Sequence, residues 1–160
     1  MAVRQRPVQA DYLKIGEDWE LMKLSFTKLN EKPNAKTKEK RYVDQTNATS
    51  TIVGYGWTQP FEADQIIGDK VIEYIREIAE LCKTGAETET EKLIVDMDKP
   101  SNEDGGYRAR KFNVAIKVDE LTDNDGEMGI TGEFVGQGNP VLGTFNKETK
   151  TFTEGFTPKA

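Results

Sequence analysis

YRARKFNVAIKV (residues 107–118), the turn DNDG (123–126) and EMGITGEF (127–134) together decide the fold. Phe112, Val114, Ile116 and Val118 alternate with Lys111, Asn113 and Lys117, the two-residue period of a strand with one face buried. Asp123-Asn124-Asp125-Gly126 follows, and Asp-Gly accepts the positive φ angles of a tight hairpin turn at little cost. Met128, Ile130 and Phe134 then resume the alternation. The segment predicts a long antiparallel hairpin.

The same grammar extends in both directions. Leu13, Ile15, Trp19 and Leu21 bracket Gly16-Glu17-Asp18, a first hairpin. A strand follows with Leu24 and Phe26 on one face and Ser25 and Thr27 on the other. Thr51 to Trp57 predicts another, carrying Ile52, Val53 and Tyr55, and an extension runs through Phe61 with Pro60 marking an edge or bulge. Leu93-Ile94-Val95 predicts a short strand after an acidic linker at Glu87, Glu89 and Glu91. Val141 to Phe145 and Lys150 to Thr153 close the chain.

One helix breaks the pattern. Val71, Ile72, Ile75, Ile78, Ala79 and Cys82 recur at helical spacing between Asp69 and Lys83, opposite Glu73, Arg76, Glu77 and Glu80. Asp69 is placed to cap its start, Gly85 to stop it, and Lys83 to meet the negative end of its dipole. The fold class is therefore mainly β, a β-sandwich or barrel of antiparallel strands with one packed α-helix. Residues 1–160 read as a single domain with a polar N-terminal arm (1–11) and a long polar loop (31–50).

Composition narrows the function. There is no histidine among 160 residues, which removes Ser/His/Asp and Cys/His chemistries. The lone Cys82 leaves no intrachain disulfide, suits a reducing compartment and falls on the apolar helix face. The N-terminus lacks the apolar run of a signal peptide, and no stretch is apolar enough to insert in a membrane. Asn47-Ala48-Thr49 matches a glycosylation sequon without a secretion signal to give it meaning. Asp123, Asp125 and Gly126 fail as a calcium loop, since the first ligand position would be Leu121 and the twelfth Gly132. Gly54-Tyr55-Gly56 and Gly136-Gln137-Gly138 lack phosphate-loop spacing. Asp96 and Asp98 share a strand face, but they run into a wet acidic loop, and a paired-carboxylate catalyst needs a pocket.

Charge is distributed unevenly. Residues 1–60 carry 10 Lys+Arg against 7 Asp+Glu, while residues 61–160 carry 12 against 21. The basic stretch holds Lys32, Lys36, Lys38, Lys40 and Arg41, offset by Glu31 and Glu39. It reads in three ways: a solvated loop, a phosphate contact with Tyr42 as a stacking base, or a docking element for an acidic surface of another copy. The net charge of −6 disfavours a general grip on nucleic acid. Glu87, Glu89, Glu91, Asp96, Asp98, Glu103 and Asp104 are the expected acidic complement, and Arg4 and Arg6 the expected contacts of the arm.

The order of elements carries a resemblance. The hairpin around Trp19-Glu20-Leu21, the loop with Lys32-Pro33-Asn34-Ala35-Lys36, the run Gly54-Tyr55-Gly56-Trp57 into Phe61-Glu62-Ala63-Asp64, the single helix and the closing segment Gly138–Phe145 resemble the major tail protein, or tail tube protein, of tailed bacteriophages. That resemblance implies two packed sheets with a flanking helix, homo-hexameric rings stacked into a tube, and a loop at Glu31–Ser50 reaching the adjacent ring. It implies no enzymatic activity and no cofactor. Tape measure and tail-end proteins would be partners, and DNA would pass through the lumen without specific binding. The location would be the virion, assembled in the host bacterial cytoplasm. The alternatives are the inner tube of a contractile injection device or tailocin and, in a different class, a small β-barrel that binds single-stranded nucleic acid through Lys32–Tyr42.

Overall fold

The computed structural model describes residues 2–22 and 25–160, so the expected strand position of Leu24 lies outside the described residues. In chain order the elements are β1 (Gln9–Ile15), β2 (Asp18–Met22), β3 (Phe26–Leu29), β4 (Ala35–Lys40), β5 (Thr49–Tyr55), β6 (Thr58–Asp64), α1 (Lys70–Glu80), β7 (Glu89–Pro100), β8 (Gly106–Asn124), β9 (Glu127–Gly136), β10 (Val141–Asn146) and β11 (Thr151–Glu154). All pairings are antiparallel, and nine strands form one sheet in the order β2-β1-β7-β8-β9-β6-β3, with β10 joining β8 and β11.

The β8–β9 hairpin forms as the alternation requires. Asn124 pairs with Glu127 across Asp125 and Gly126, whose φ angles of 54° and 90° are those of a two-residue type I′ turn. The length of β8 sets the architecture. Residues 106–111 pair with β10 on one side, residues 107–115 with β7 on the other, and residues 114–124 with β9. One strand thus serves two regions of the sheet, which curls around α1.

The two faces of the sheet hold separate cores. Leu13, Ile94, Phe112, Val114, Ile116, Phe61, Ile130 and Phe134 pack with Val71, Ile72, Ile75 and Ile78 of α1. On the opposite face Tyr12, Trp19, Leu93, Val95, Ala109 and Phe145 form a smaller cluster, with the Tyr12 and Phe145 rings 4.6 Å apart.

Several expectations need correction. The strand at Leu93-Ile94-Val95 is not short: β7 spans twelve residues, and Glu89 and Glu91 belong to it rather than to a linker. Its three apolar residues are buried on both faces, so they carry no alternation from which a length could be read. The 31–50 segment is not a plain loop, because Ala35–Lys40 is a strand paired with β5, which itself begins at Thr49 and ends before Trp57. The arm is shorter than residues 1–11, since β1 starts at Gln9. Pro60 marks neither an edge nor a bulge: it lies within β6, opposite Glu133 of β9, and on its other side its carbonyl accepts from Asn30 N–H at 3.3 Å.

Asp69 caps α1 as expected, accepting from the backbone N–H groups of Val71 and Ile72. The other end differs. The helix stops at Glu80, with Cys82 N–H donating to Ala79 O and Lys83 N–H to Ile78 O, a Schellman closure that places Cys82 at φ 49°. Cys82 is therefore exposed rather than core. Gly85 does not stop the helix and instead opens a short 3-10 turn.

Candidate functional site

The basic segment and the strand after it make a two-stranded ribbon separate from the main sheet. Its register explains how it is aimed. Leu29 pairs with Phe61, Lys32 with Thr58, Ala35 with Tyr55 and Lys36 with Gly54, so β4–β5 prolongs the β3–β6 ladder without changing its offset. From the Lys32–Thr58 bridge to Lys40 the ribbon extends about 26 Å along that ladder, at roughly 3.3 Å per residue.

Lys36, Lys38 and Lys40 alternate with Ala35, Thr37 and Glu39, so the lysines share one face. Partners directly opposite share a face too, so the other face carries Ala35 with Tyr55, Thr37 with Ile52 and Glu39 with Ser50, apolar toward the root and polar toward the tip, and the register shifts after Lys36. All of β4 is exposed, as are Ile52, Val53 and Tyr55, and at the tip Tyr42 and Val43. Lys40 lies over the Tyr42 ring at 5.0 Å. Among the described residues, none of the five cations Lys32, Lys36, Lys38, Lys40 and Arg41 forms an ion pair. An isolated two-stranded ribbon with neither face covered is marginal in water.

The root of the ribbon is firm. Glu31 accepts from Arg110 Nη1 at 2.7 Å and from Trp57 Nε1 at 2.8 Å, and the Trp57 ring stacks on Phe112 at 4.1 Å. Burial alone would raise the Glu31 carboxyl, but Arg110 and Trp57 hold it below the ordinary carboxylate range. A cleft of about 440 Å³ opens beside this cluster, walled by Pro33, Tyr55, Trp57, Arg110, Gly136 and Pro140.

Arg4 and Arg6 are both engaged within the chain. Arg4 reaches Asp96 at 2.6 Å and Asp98 at 3.0 Å, and Arg6 pairs with Asp11. Arg108 meets the other oxygen of Asp96 at 2.6 Å. Asp11 in turn accepts from Lys92, whose ammonium is fully buried at 2.9 Å from it and 5.6 Å from the Phe134 ring. Burial would raise Asp11 and Asp96, but their cationic partners hold both carboxyls below the ordinary value. Burial pushes the Lys92 ammonium below its ordinary value, against the pull of Asp11. These interactions tie the segment before β1 onto β1, β7 and β8.

The expected acidic complement is therefore not one surface. Asp96 and Asp98 are taken up by Arg4; Glu91 lies 3.5 Å from Lys14; Glu89 accepts from Gln137; Glu103 accepts from Asn146. Glu87 and Asp104 are exposed at separate places. Asp96 and Asp98 do share a face, as acceptors for arginine. Sequence reasoning missed Lys92, although it sits two residues from both Ile94 and Thr90 in the alternation that buries one side of β7. Among the described residues no group of three or more His, Cys, Asp or Glu is placed to hold a metal ion. No helix among them is long and apolar enough to cross a membrane.

No protein-family model matches the sequence, and no curated protein matches it. In three dimensions the chain is similar to one in the cryo-EM structure of the anti-feeding prophage (AFP) baseplate, six-fold symmetrised, with a TM-score of 0.53 at 9% identity over 89% of this chain and 95% of that one. The likeness is one of fold.

Proposed function

We propose that this chain is a structural subunit of a phage-tail-type particle, a tube protein whose copies close into six-membered rings and stack into a conduit for DNA. The ribbon carries this reading. It continues a body strand pair outward, exposes a basic face together with the apolar side chains Ile52 and Tyr55, and has nothing among the described residues to cover either. A segment of that kind is completed by a neighbour. The likeness of fold to a chain in a six-fold symmetrised baseplate supports ring assembly.

Lateral closure has its own material. β2, β3 and the stretch of β8 beyond residue 115 each leave one side of their backbone unpaired in the sheet. Such edges are aggregation hazards in a monomer and assembly devices in a closed ring. The acidic balance keeps the conduit from gripping DNA. Further partners would be the tape measure and tail-end proteins, the place of action the virion after assembly in the host bacterial cytoplasm, and no catalysis or cofactor is required. A second reading keeps the same rings and places them in a contractile injection device, which the baseplate likeness favours.

Reversing the ribbon charge with Lys36→Glu, Lys38→Glu and Lys40→Glu tests the role. These side chains make no ion pair within the described residues, so thermal unfolding of the subunit should be unchanged, while polymer stability falls and its salt response inverts, added salt weakening the wild-type polymer and strengthening the variant's. Tubes of wild-type stability at every salt concentration would remove the ribbon from the stacking contact.

A further inference from the structure

We infer that the ribbon tip, Tyr42 and Val43 between Arg41 and Asp44, seats in a cleft at the opposite end of β6 in the next copy, beside Ile66, Ile67 and Met128. The inference rests on the tube reading and names the receiving surface. Both partners are apolar residues left in water: relative exposure is 108% at Val43 and 96% at Ile67, with Tyr42 and Met128 above half. Ile66 is exposed beside Ile67, and contiguous apolar residues left in water mark an interaction site more than single ones do.

Placement supports the match. The tip lies beyond the start of β5, which leads on into β6, whereas Ile66 and Ile67 follow Asp64 at the end of β6. Gln65 N–H donates to Met128 O at 2.9 Å, which brings the start of β9 to the same end. Plug and socket thus occupy opposite ends of one continuous strand pair. A contact between unlike ends of identical subunits is heterologous and propagates head to tail, as a stack of rings requires.

Charge agrees as well. The tip is flanked by Lys38, Lys40 and Arg41, and the socket end is acidic: Asp64, Asp123, Asp125 and Glu127 are all exposed and form no ion pair among the described residues. The cleft, about 400 Å³, is walled by Glu20, Leu21, Ile66, Ile67, Gly68 and Lys70. That volume suits one or two side chains. An apolar anchor in a pocket with a charged rim is the usual anatomy of an interface hot spot.

The test uses the full chain carrying Cys82→Ser, Val43→Cys and Ile67→Cys, assembled and then oxidised. The expected result is a ladder of disulfide-linked multimers on a non-reducing gel, absent when either new cysteine stands alone and absent at concentrations too low for assembly. Separately, Val43→Asp should raise the concentration needed for assembly about tenfold, the effect of losing one anchor. Normal polymers that give no ladder, or that cross-link through Val43→Cys alone, would overturn the socket and leave the tube reading standing. A wild-type chain that never assembles would remove both.

Discussion

Asp11→Ala should be among the most damaging single substitutions in this protein, and its cost should depend on pH in a diagnostic direction. The change leaves the Lys92 ammonium fully buried without its partner at 2.9 Å, while Arg6, half in water, is free to solvate. Breaking a buried pair from one side costs about 3–5 kcal/mol. Lys92 can relieve the penalty only by shedding its proton. At pH 7 that costs about 1.4 kcal/mol for each pH unit below its ordinary value of 10.5, about 5 kcal/mol in all, which caps the loss. The same arithmetic leaves roughly 2 kcal/mol at pH 9. The native state of the variant holds the Lys92 proton less tightly than the unfolded chain does, so its stability must rise with pH. Urea unfolding followed by Trp19 and Trp57 fluorescence measures both, with a thermal midpoint lowered by roughly 6–20 °C at pH 7. Adding Lys92→Met should recover most of the loss, because an apolar pair replaces a stranded charge. A loss under about 1 kcal/mol at pH 7, one that does not shrink toward pH 9, or a double variant no better than Asp11→Ala would refute the account.

Cys82→Gly should raise stability by about 0.5–1 kcal/mol, read in the thermal midpoint, since the closure of α1 holds position 82 at a positive φ that suits glycine. Gly132→Ala should cost at least about 2 kcal/mol in urea unfolding, because a Cβ there would meet Lys117 O at 2.3 Å and Val118 Cα at 2.9 Å, both backbone. On acidification, the stability from Asp11, Glu31 and Asp96 is present above their ordinary values of 3.8, 4.5 and 3.8. It is lost as pH falls through their depressed native values, so the unfolding midpoint should be flat to about pH 4.5 and then drop. A midpoint that rises below pH 4.5 would contradict the pairing.

What the sequence could reveal followed the burial of one face at a time. The β8–β9 hairpin and the body of α1 were legible because Phe112 to Val118 and Val71 to Ile78 alternate or recur with a clear period. β7 was legible only in its middle, since Leu93, Ile94 and Val95 face two cores and leave no polar side to count. β4 was hidden for the opposite reason: both of its faces are in water, so Lys36, Lys38 and Lys40 read as loop although their spacing is that of a strand. Lys32, Lys36, Lys38, Lys40 and Arg41 stand exposed, as a basic run of that composition reads. The partner of Asp96 and Asp98 was not legible, because Arg4 lies 92 and 94 residues away in the sequence, a pairing no local pattern contains. Lys92 was missed because a lysine in an alternating strand reads as a solvent position unless its cross-strand partner is known.

Copies of this chain, as proposed, complete one another laterally through strand edges and axially through the ribbon. Cryo-electron microscopy of the concentrated full chain tests it most directly. Stacked six-membered rings with β4–β5 crossing each ring boundary are the expected result, and a sample that stays monomeric at high concentration, or rings that stack with the ribbon in solvent, would overturn the proposal.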